Sequence, residues 1–233
     1  MKIYEVVQPI EEGPNDPHIF KAVFLAGGPG SGKSYVASKL LNNADYGLKT
    51  VNSDDMFEFL MKKNDMAPTP DNIYSPDGQA LRGRAKTLTK NRENTLLDGR
   101  LGVIIDGTGK DTRRIAISQN RLKELGYDTM MLFVNTSLEV AQQRNQQRDR
   151  TLPTDKVDSM WRIVQNNLMR FQQLFGAGNF HIVDNSGGLE DPDRKENFEQ
   201  VEKAIRAFIN QPPSSRIAKQ WIADQQKNNN NER

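Results

Sequence analysis

Cysteine is absent from the 233 residues, which excludes a disulfide framework, a thiolate zinc site and a cysteine nucleophile. Histidine is nearly absent too, with only His18 and His181. His18 falls in a turn-rich segment. His181 falls in a short apolar run, where a packed side chain is expected rather than a general base. No stretch approaches the roughly 18 consecutive apolar residues of a membrane span. The opening Met1-Lys2-Ile3-Tyr4-Glu5 contains no long apolar signal core, so the cytoplasm is the expected location. An excess of one charge is also missing. Lys and Arg total 32 against 30 Asp and Glu, a formal net charge of +2, so any contact with nucleic acid must be local rather than driven by a global field. There is no internal repeat.

What the chain does have is concentrated in Val23-Phe24-Leu25-Ala26-Gly27-Gly28-Pro29-Gly30-Ser31-Gly32-Lys33-Ser34. An apolar strand runs into a glycine-rich turn, and Lys33-Ser34 opens a helix with Val36, Leu40 and Leu41 on one face. This is the phosphate-loop pattern G-x-x-x-x-G-K-[ST] in the strand-loop-helix context it requires. Glycine at 28, 30 and 32 lets main-chain N–H groups close around an anion, with Pro29 and Ser31 completing the turn. The helix N-terminus faces the same anion with partial positive charge. In this pattern Lys33 reaches the β and γ phosphates of a nucleoside triphosphate and the Ser34 hydroxyl ligates Mg²⁺.

The remaining periodicity predicts an α/β fold of alternating strands and helices. Strands are expected at Phe20–Ala26, Leu48–Asn52, Val103–Asp106, Thr129–Val134 and Phe180–Val183, and an edge strand in residues 1–8. The first and fourth are unbroken apolar runs of the kind buried on both faces of a parallel sheet. Helices are expected from Lys33 to Asn43, after Asp55, from Gln79 to Leu97, from Asp111 to Leu125, from Leu138, from Thr154 to Phe175, and from Pro192 to the break at Pro212-Pro213. A short helix carrying Ile217, Trp221 and Ile222 follows, and Gln225–Arg233 is expected to fray. Lys62–Gly78, with three prolines, reads as a long polar loop and a candidate substrate lid. The domain division expected is an N-terminal strand and loop at 1–19, a nucleotide-binding domain at 20–210 with a lid near 137–155, and a C-terminal helix and flexible tail at 211–233.

Three further clusters carry chemistry. Asp54 and Asp55 follow the second strand, where open α/β sheets place ligands. First-turn acids also cap helices and oppose their dipoles, and both readings fit. Asp106 ends the third strand, at the position of a carboxylate that holds the Mg²⁺ shell beside a phosphate loop. The helix from Leu138 loses its apolar stripe after Ala141, so it leaves the core; Arg144 and Arg148 share a face and suit a lid closing on phosphates. Arg82, Arg84, Lys86, Lys90 and Arg92 form a basic run that is either a solvated face or a landing strip for a phosphorylated or polymeric substrate.

Together these residues resemble the polynucleotide kinase and zeta-toxin (AAA_33-type) group of P-loop kinases, common in bacteriophages, over roughly residues 20–185. The matching segments are Gly27–Ser34, Val51-Asn52-Ser53-Asp54-Asp55, Ile105-Asp106-Gly107-Thr108 and the spacing from Leu138 through Arg144-Asn145 to Arg148. The resemblance implies a three-layer P-loop NTPase fold, like a nucleotide kinase, with a five-stranded mainly parallel sheet, a helical lid and extra C-terminal helices. It implies ATP and Mg²⁺ as cofactors and Asp54 as the base that activates an acceptor hydroxyl. Arg148 is implied at the donor phosphates, and the favoured acceptor is a nucleic-acid 5′-hydroxyl. If phage-encoded, the chain would work in the host cytoplasm. One departure stands out: the polynucleotide kinase segment places an arginine soon after its Asp-Asp pair, whereas Phe57 and Glu58 stand here.

Overall fold

The computed structural model describes residues 13–41, 46–147 and 151–231. Five strands, β1 (Lys21–Ala26), β2 (Lys49–Val51), β3 (Val103–Asp106), β4 (Asp128–Asn135) and β5 (Phe180–Asp184), form one sheet in the order β2-β3-β1-β4-β5. Every neighbouring pair is parallel. All six residues of β1 are buried and so are the central six of β4, which is why both read as unbroken apolar runs.

Helices cover both faces. On one face α1 (Lys33–Leu40) and α9 (Pro192–Asn210) pack Val36, Leu40, Val201, Ile205 and Phe208 against Val23, Leu25, Leu132 and Val134. On the other face lie α5 (Thr112–Glu124), α7 (Thr154–Asn166), α8 (Leu168–Phe175) and α10 (Arg216–Asn231), with Leu122, Val164, Phe171, Phe175 and Ala218 against Phe24, Met131 and Phe133. The result is a three-layer α/β fold. Beyond the β2 edge, α2 (Ser53–Lys63), α3 (Pro70–Tyr74) and α4 (Pro76–Asp98) enclose a smaller core of Phe57, Leu60, Met61, Ile73 and Ala85. The last helix, α6 (Leu138–Gln146), follows β4 and is capped by the Ser137 hydroxyl, which accepts from Val140 N–H.

Three local expectations change. The expected loop at Lys62–Gly78 contains α3, and α4 begins at Pro76 rather than Gln79. Its prolines start helices instead of breaking them: Pro70 and Pro76 occupy first-turn positions behind the caps Thr69 and Ser75, where a missing N–H costs nothing. The single helix expected from Thr154 to Phe175 is two, divided at Asn167, whose side-chain amide donates to the carbonyls of Gly109 and Lys110 at 2.9 and 3.0 Å. Finally, the helix after Pro212-Pro213 is longer than the short one expected: α10 runs on to Asn231. Trp221 packs edge-on against Phe20, and Gln226 donates to Asn15, which ties the helix down along its length. The expected strand at 1–8 lies outside the described residues.

Candidate active site

The phosphate loop leaves the central strand β1 at the C-terminal edge of the sheet. Ser31 N–H donates to the Gly28 carbonyl at 3.2 Å, closing a turn with Pro29 and Gly30 at its centre. Gly30 has φ 73°, as the third residue of a type II turn requires. A side chain at Gly30 would strike the Ala141 backbone in α6. Gly32, at φ 82°, starts α1 with no side-chain cap, so the first N–H groups of the helix face the loop without a helical partner. Lys33 Nζ donates to the Gly27 carbonyl at 2.8 Å, folded back along the loop. Ser34 is exposed in the first turn of α1, and the Ser31 hydroxyl is buried without a partner.

Across β3 sits a set of acids. Leu25 pairs with Asp106, and Gly107 N–H donates to the Leu25 carbonyl, which sets Asp106 beside the start of the loop. Asn52 organises the rest. Its Oδ1 accepts from Asp54 N–H at 2.8 Å, capping α2, while its Nδ2 donates to Asp55 Oδ1 and Asp106 Oδ2, both at 3.0 Å. Burial raises the Asp106 carboxyl above the ordinary range; Lys33 opposes that shift, while Asp55 and Asp54 add to it. Asp55 is also raised, first by burial and then by Asp54. The Asp54 carboxylate makes no hydrogen bond or ion pair among the described residues. Asp106 Oδ1 is buried with no partner. A lone carboxylate oxygen held beside Lys33, with the Ser34 hydroxyl on the neighbouring helix, suits a hard cation. Among the described residues no three His, Cys, Asp or Glu side chains group to hold a metal by themselves. Mg²⁺ asks for less, one or two protein ligands beside phosphates and waters, and Ser34 and Asp106 fit that role.

The loop is also clamped from its other side. Arg144 in α6 has a buried Nη1 without a partner, 3.5 Å from where a Cβ on Gly32 would lie. Burial, and next the nearby Arg194, lower its pKa, and among the described residues Arg144 has no anionic partner. Arg148 lies outside the described residues. Asn185, just after β5, donates to the Ser31 carbonyl at 2.8 Å and accepts from Arg194 Nε and Nη2. Arg194 in turn lies over the rings of Tyr35 and Phe198. Trp161 of α7 crosses over Gly28, with its Nε1 donating to the Thr136 carbonyl at 2.8 Å. From the sequence, the loop Asp184–Gly188 is expected to border an adenine pocket, which gives Asn185 no part in holding the phosphate loop, and Arg194 and Trp161 have no expected role. Asn185 had a signal, the polar run directly after a strand; Arg194 and Trp161 sit in ordinary amphipathic helices.

Of the basic run on α4, Arg84 and Lys86 are exposed and Lys90 pairs with Glu93. Arg82 lies over the Phe57 ring at 4.5 Å, and Arg92 faces a cavity beside α2. His181 is half-buried in β5, where burial lowers its pKa.

A family model described as an AAA domain, AAA_33, matches residues 23–175. The chain belongs to this family. A search of curated proteins finds no match to this AAA_33 sequence. Among solved structures, a chain of the Pnkp1/Rnl/Hen1 RNA repair complex is similar at TM-score 0.51 and 24% identity, over 66% of this chain and 47% of that one. This chain therefore spans just under half of that relative. The PezAT chromosomal toxin-antitoxin system of Streptococcus pneumoniae gives TM-score 0.54 at 13% identity, covering 80% and 86%. The AvrRxo1-ORF1:-ORF2 complex with ATP gives 0.53 at 18%, covering 88% and 80%. At these identities the likeness is one of fold alone. Among the described residues no helix is long and apolar enough to cross a membrane.

Proposed function

We propose that this AAA_33 protein is an ATP-dependent phosphotransferase that moves the γ-phosphoryl group onto a hydroxyl, with a nucleic-acid 5′-hydroxyl as favoured acceptor. The observation that carries the reading is the acid set Asp54, Asp55 and Asp106 arrayed by Asn52 opposite Lys33. A loop that only gripped nucleotide would need Asp106 but would have no use for Asp54.

Loop amides, Lys33 and Arg144 bind and orient the triphosphate, and Arg148 is proposed at the same phosphates. Ser34 and Asp106 would hold Mg²⁺, which would supply charge neutralisation there. Asp54 takes the proton of the acceptor hydroxyl. The acceptor oxygen bonds to the γ-phosphorus, and the bond from that phosphorus to the bridging oxygen breaks with its electron pair going to ADP.

A positioned base contributes roughly 10²–10⁴-fold, so Asp54→Asn should lower transfer by that factor while ATP still binds. Lys33→Ala should weaken both binding and transfer. The deciding experiment incubates the protein with γ-labelled ATP and a panel of acceptors: 5′-hydroxyl RNA and DNA, nucleotide-sugars and nucleosides. Label moving to oligonucleotide supports the favoured reading. Label moving only to a nucleotide-sugar supports a zeta-toxin-like kinase, which the near-neutral charge and the presence of Phe57 and Glu58 after Asp55 favour. Label appearing only as free phosphate makes the protein an ATPase switch and ends the transfer reading.

A further inference from the structure

Beside the acids lies a cavity of about 460 Å³ between β2, α2 and α4. That is the volume of a site for a small organic ligand. Asn52, Asp55, Met56 and Phe59 form its α2 side, and Thr89 and Arg92 its α4 side. The spacing explains the gathering: positions 52, 55, 56 and 59 fall on one face of α2 and its cap, and 89 and 92 are neighbours one turn apart on α4.

Three properties separate this cavity from an incidental groove between helices. Thr89 is only 9% exposed, yet its hydroxyl has no hydrogen-bond partner. A buried hydroxyl with nothing to bond to is uncommon, and here the residue that carries it forms part of the wall of an open space. Arg92 makes no ion pair or hydrogen bond among the described residues, and the adjacent acid, Glu93, is engaged by Lys90 and Arg121 at 3.2 and 3.1 Å. The cation at the cavity is thus unpaired among the described residues. Phe59 is 59% exposed, an aromatic face turned to solvent at the same place.

We infer that this cavity is the acceptor subsite, in which Arg92 and Thr89 hold an anionic group of the acceptor while Phe59 and Met56 meet its ring. The inference rests on the phosphotransferase reading and deepens it. The acceptor is an alcohol that carries a phosphate at a distance from the reacting hydroxyl, with a flat apolar portion between. A mononucleotide-sized compound meets this requirement alone; a polymer meets it through its first backbone phosphate. The reacting hydroxyl then lies at the Asp55 end of the cavity, beside the neighbouring Asp54 in the first turn of α2.

The test compares a nucleoside, the same nucleoside with a 3′-phosphate, and a 5′-hydroxyl oligonucleotide, as acceptors and as ligands in calorimetry. The wild-type protein should bind the phosphorylated compound about 10–100-fold more tightly than the nucleoside, the scale of a hydrogen-bonded charge pair. Arg92→Ala should raise its KM and its Kd by that factor and abolish the preference. Arg92→Lys should restore part of it, and Thr89→Val should cost about 3–10-fold, as loss of a neutral hydrogen bond does. Lys86→Ala, which removes an exposed charge from the same helix outside the cavity and leaves Glu93 engaged, should leave these constants unchanged. An equal loss in Lys86→Ala, or an unchanged Kd in Arg92→Ala, overturns the subsite. Equal KM values for mononucleotide and oligonucleotide assign the contact to one phosphate; a lower KM for the oligonucleotide with a steeper salt slope adds polymer contacts to it. Failure of transfer to every acceptor would sink the kinase reading, whereas the calorimetric comparison still decides the subsite.

Discussion

Asp106 carries a charge that the fold only partly compensates. One oxygen accepts from Asn52, the other is buried without a partner, and Lys33 offsets part of the cost. An amide at this position relieves that cost, so Asp106→Asn should raise the melting temperature of the metal-free protein by roughly 2–4 °C, the equivalent of about 1 kcal/mol in a chain of this size. The same variant should lose phosphoryl transfer. The pH dependence follows with a definite sign. The carboxyls of Asp106 and Asp55 are raised in the folded protein, which therefore holds more protons than the unfolded chain between the ordinary and the raised values. Their contribution to stability is full below the ordinary carboxylate range and is lost as pH climbs through the raised values. Urea midpoints measured across mildly acidic pH should fall as pH rises, and fall less in Asp106→Asn. At this scale the sequence was informative where chemistry needs fixed spacing, as for Lys33, Ser34 and Asp106. It was silent on Arg194, because the hydrogen bonds from Arg194 to Asn185, and from Asn185 to Ser31 across 154 positions, exist only once the chain has folded.

Helices carry the next level of the design. Strands and most helices were legible, since burial on both faces writes continuous apolar runs and burial on one face writes the helical period. The prolines at 70 and 76 misled because the same residue that ends a helix also begins one, and the deciding caps, Thr69 and Ser75, are weak signals alone. The division at Asn167 was hidden because the apolar stripe continues through it, and its side-chain bonds to the Gly109 and Lys110 carbonyls form only once the chain has folded. Asn167→Ala should leave those buried acceptors unpaired and cost roughly 1–3 kcal/mol in denaturant unfolding. The contact of α6 with the phosphate loop is equally specific. Gly30→Ala would set a methyl group against the Ala141 backbone at a position that also needs positive φ, so ATP affinity should fall more than 10-fold with a smaller loss of stability.

Over the whole molecule, chemistry and anchorage occupy opposite edges of one sheet. The loop, the acids and α6 gather where the strands end. Where β1 and β4 begin, Lys21 is 1% exposed and bonds Asp128 at 2.8 Å, and Asp128 also accepts from the Ser214 N–H and hydroxyl just before α10. The Lys21 ammonium lies over the Phe208 ring as well, so one buried cation joins β1, β4, α9 and the C-terminal segment. Asp128→Ala should strand that cation and cost roughly 3–5 kcal/mol, read from chemical denaturation. ATP affinity of the folded fraction should stay unchanged, which separates anchorage from chemistry.

Trp161 rests over Gly28 while Trp221 is packed against Phe20 near α10, and these are the molecule's two indoles. The first is a built-in dye: phosphate entering the cradle alters its surroundings, and the second stays dark to the event. Titrating nucleotide should shift the intrinsic emission of the wild-type protein and of Trp221→Phe, and should leave that of Trp161→Phe unmoved, giving a label-free readout of occupancy.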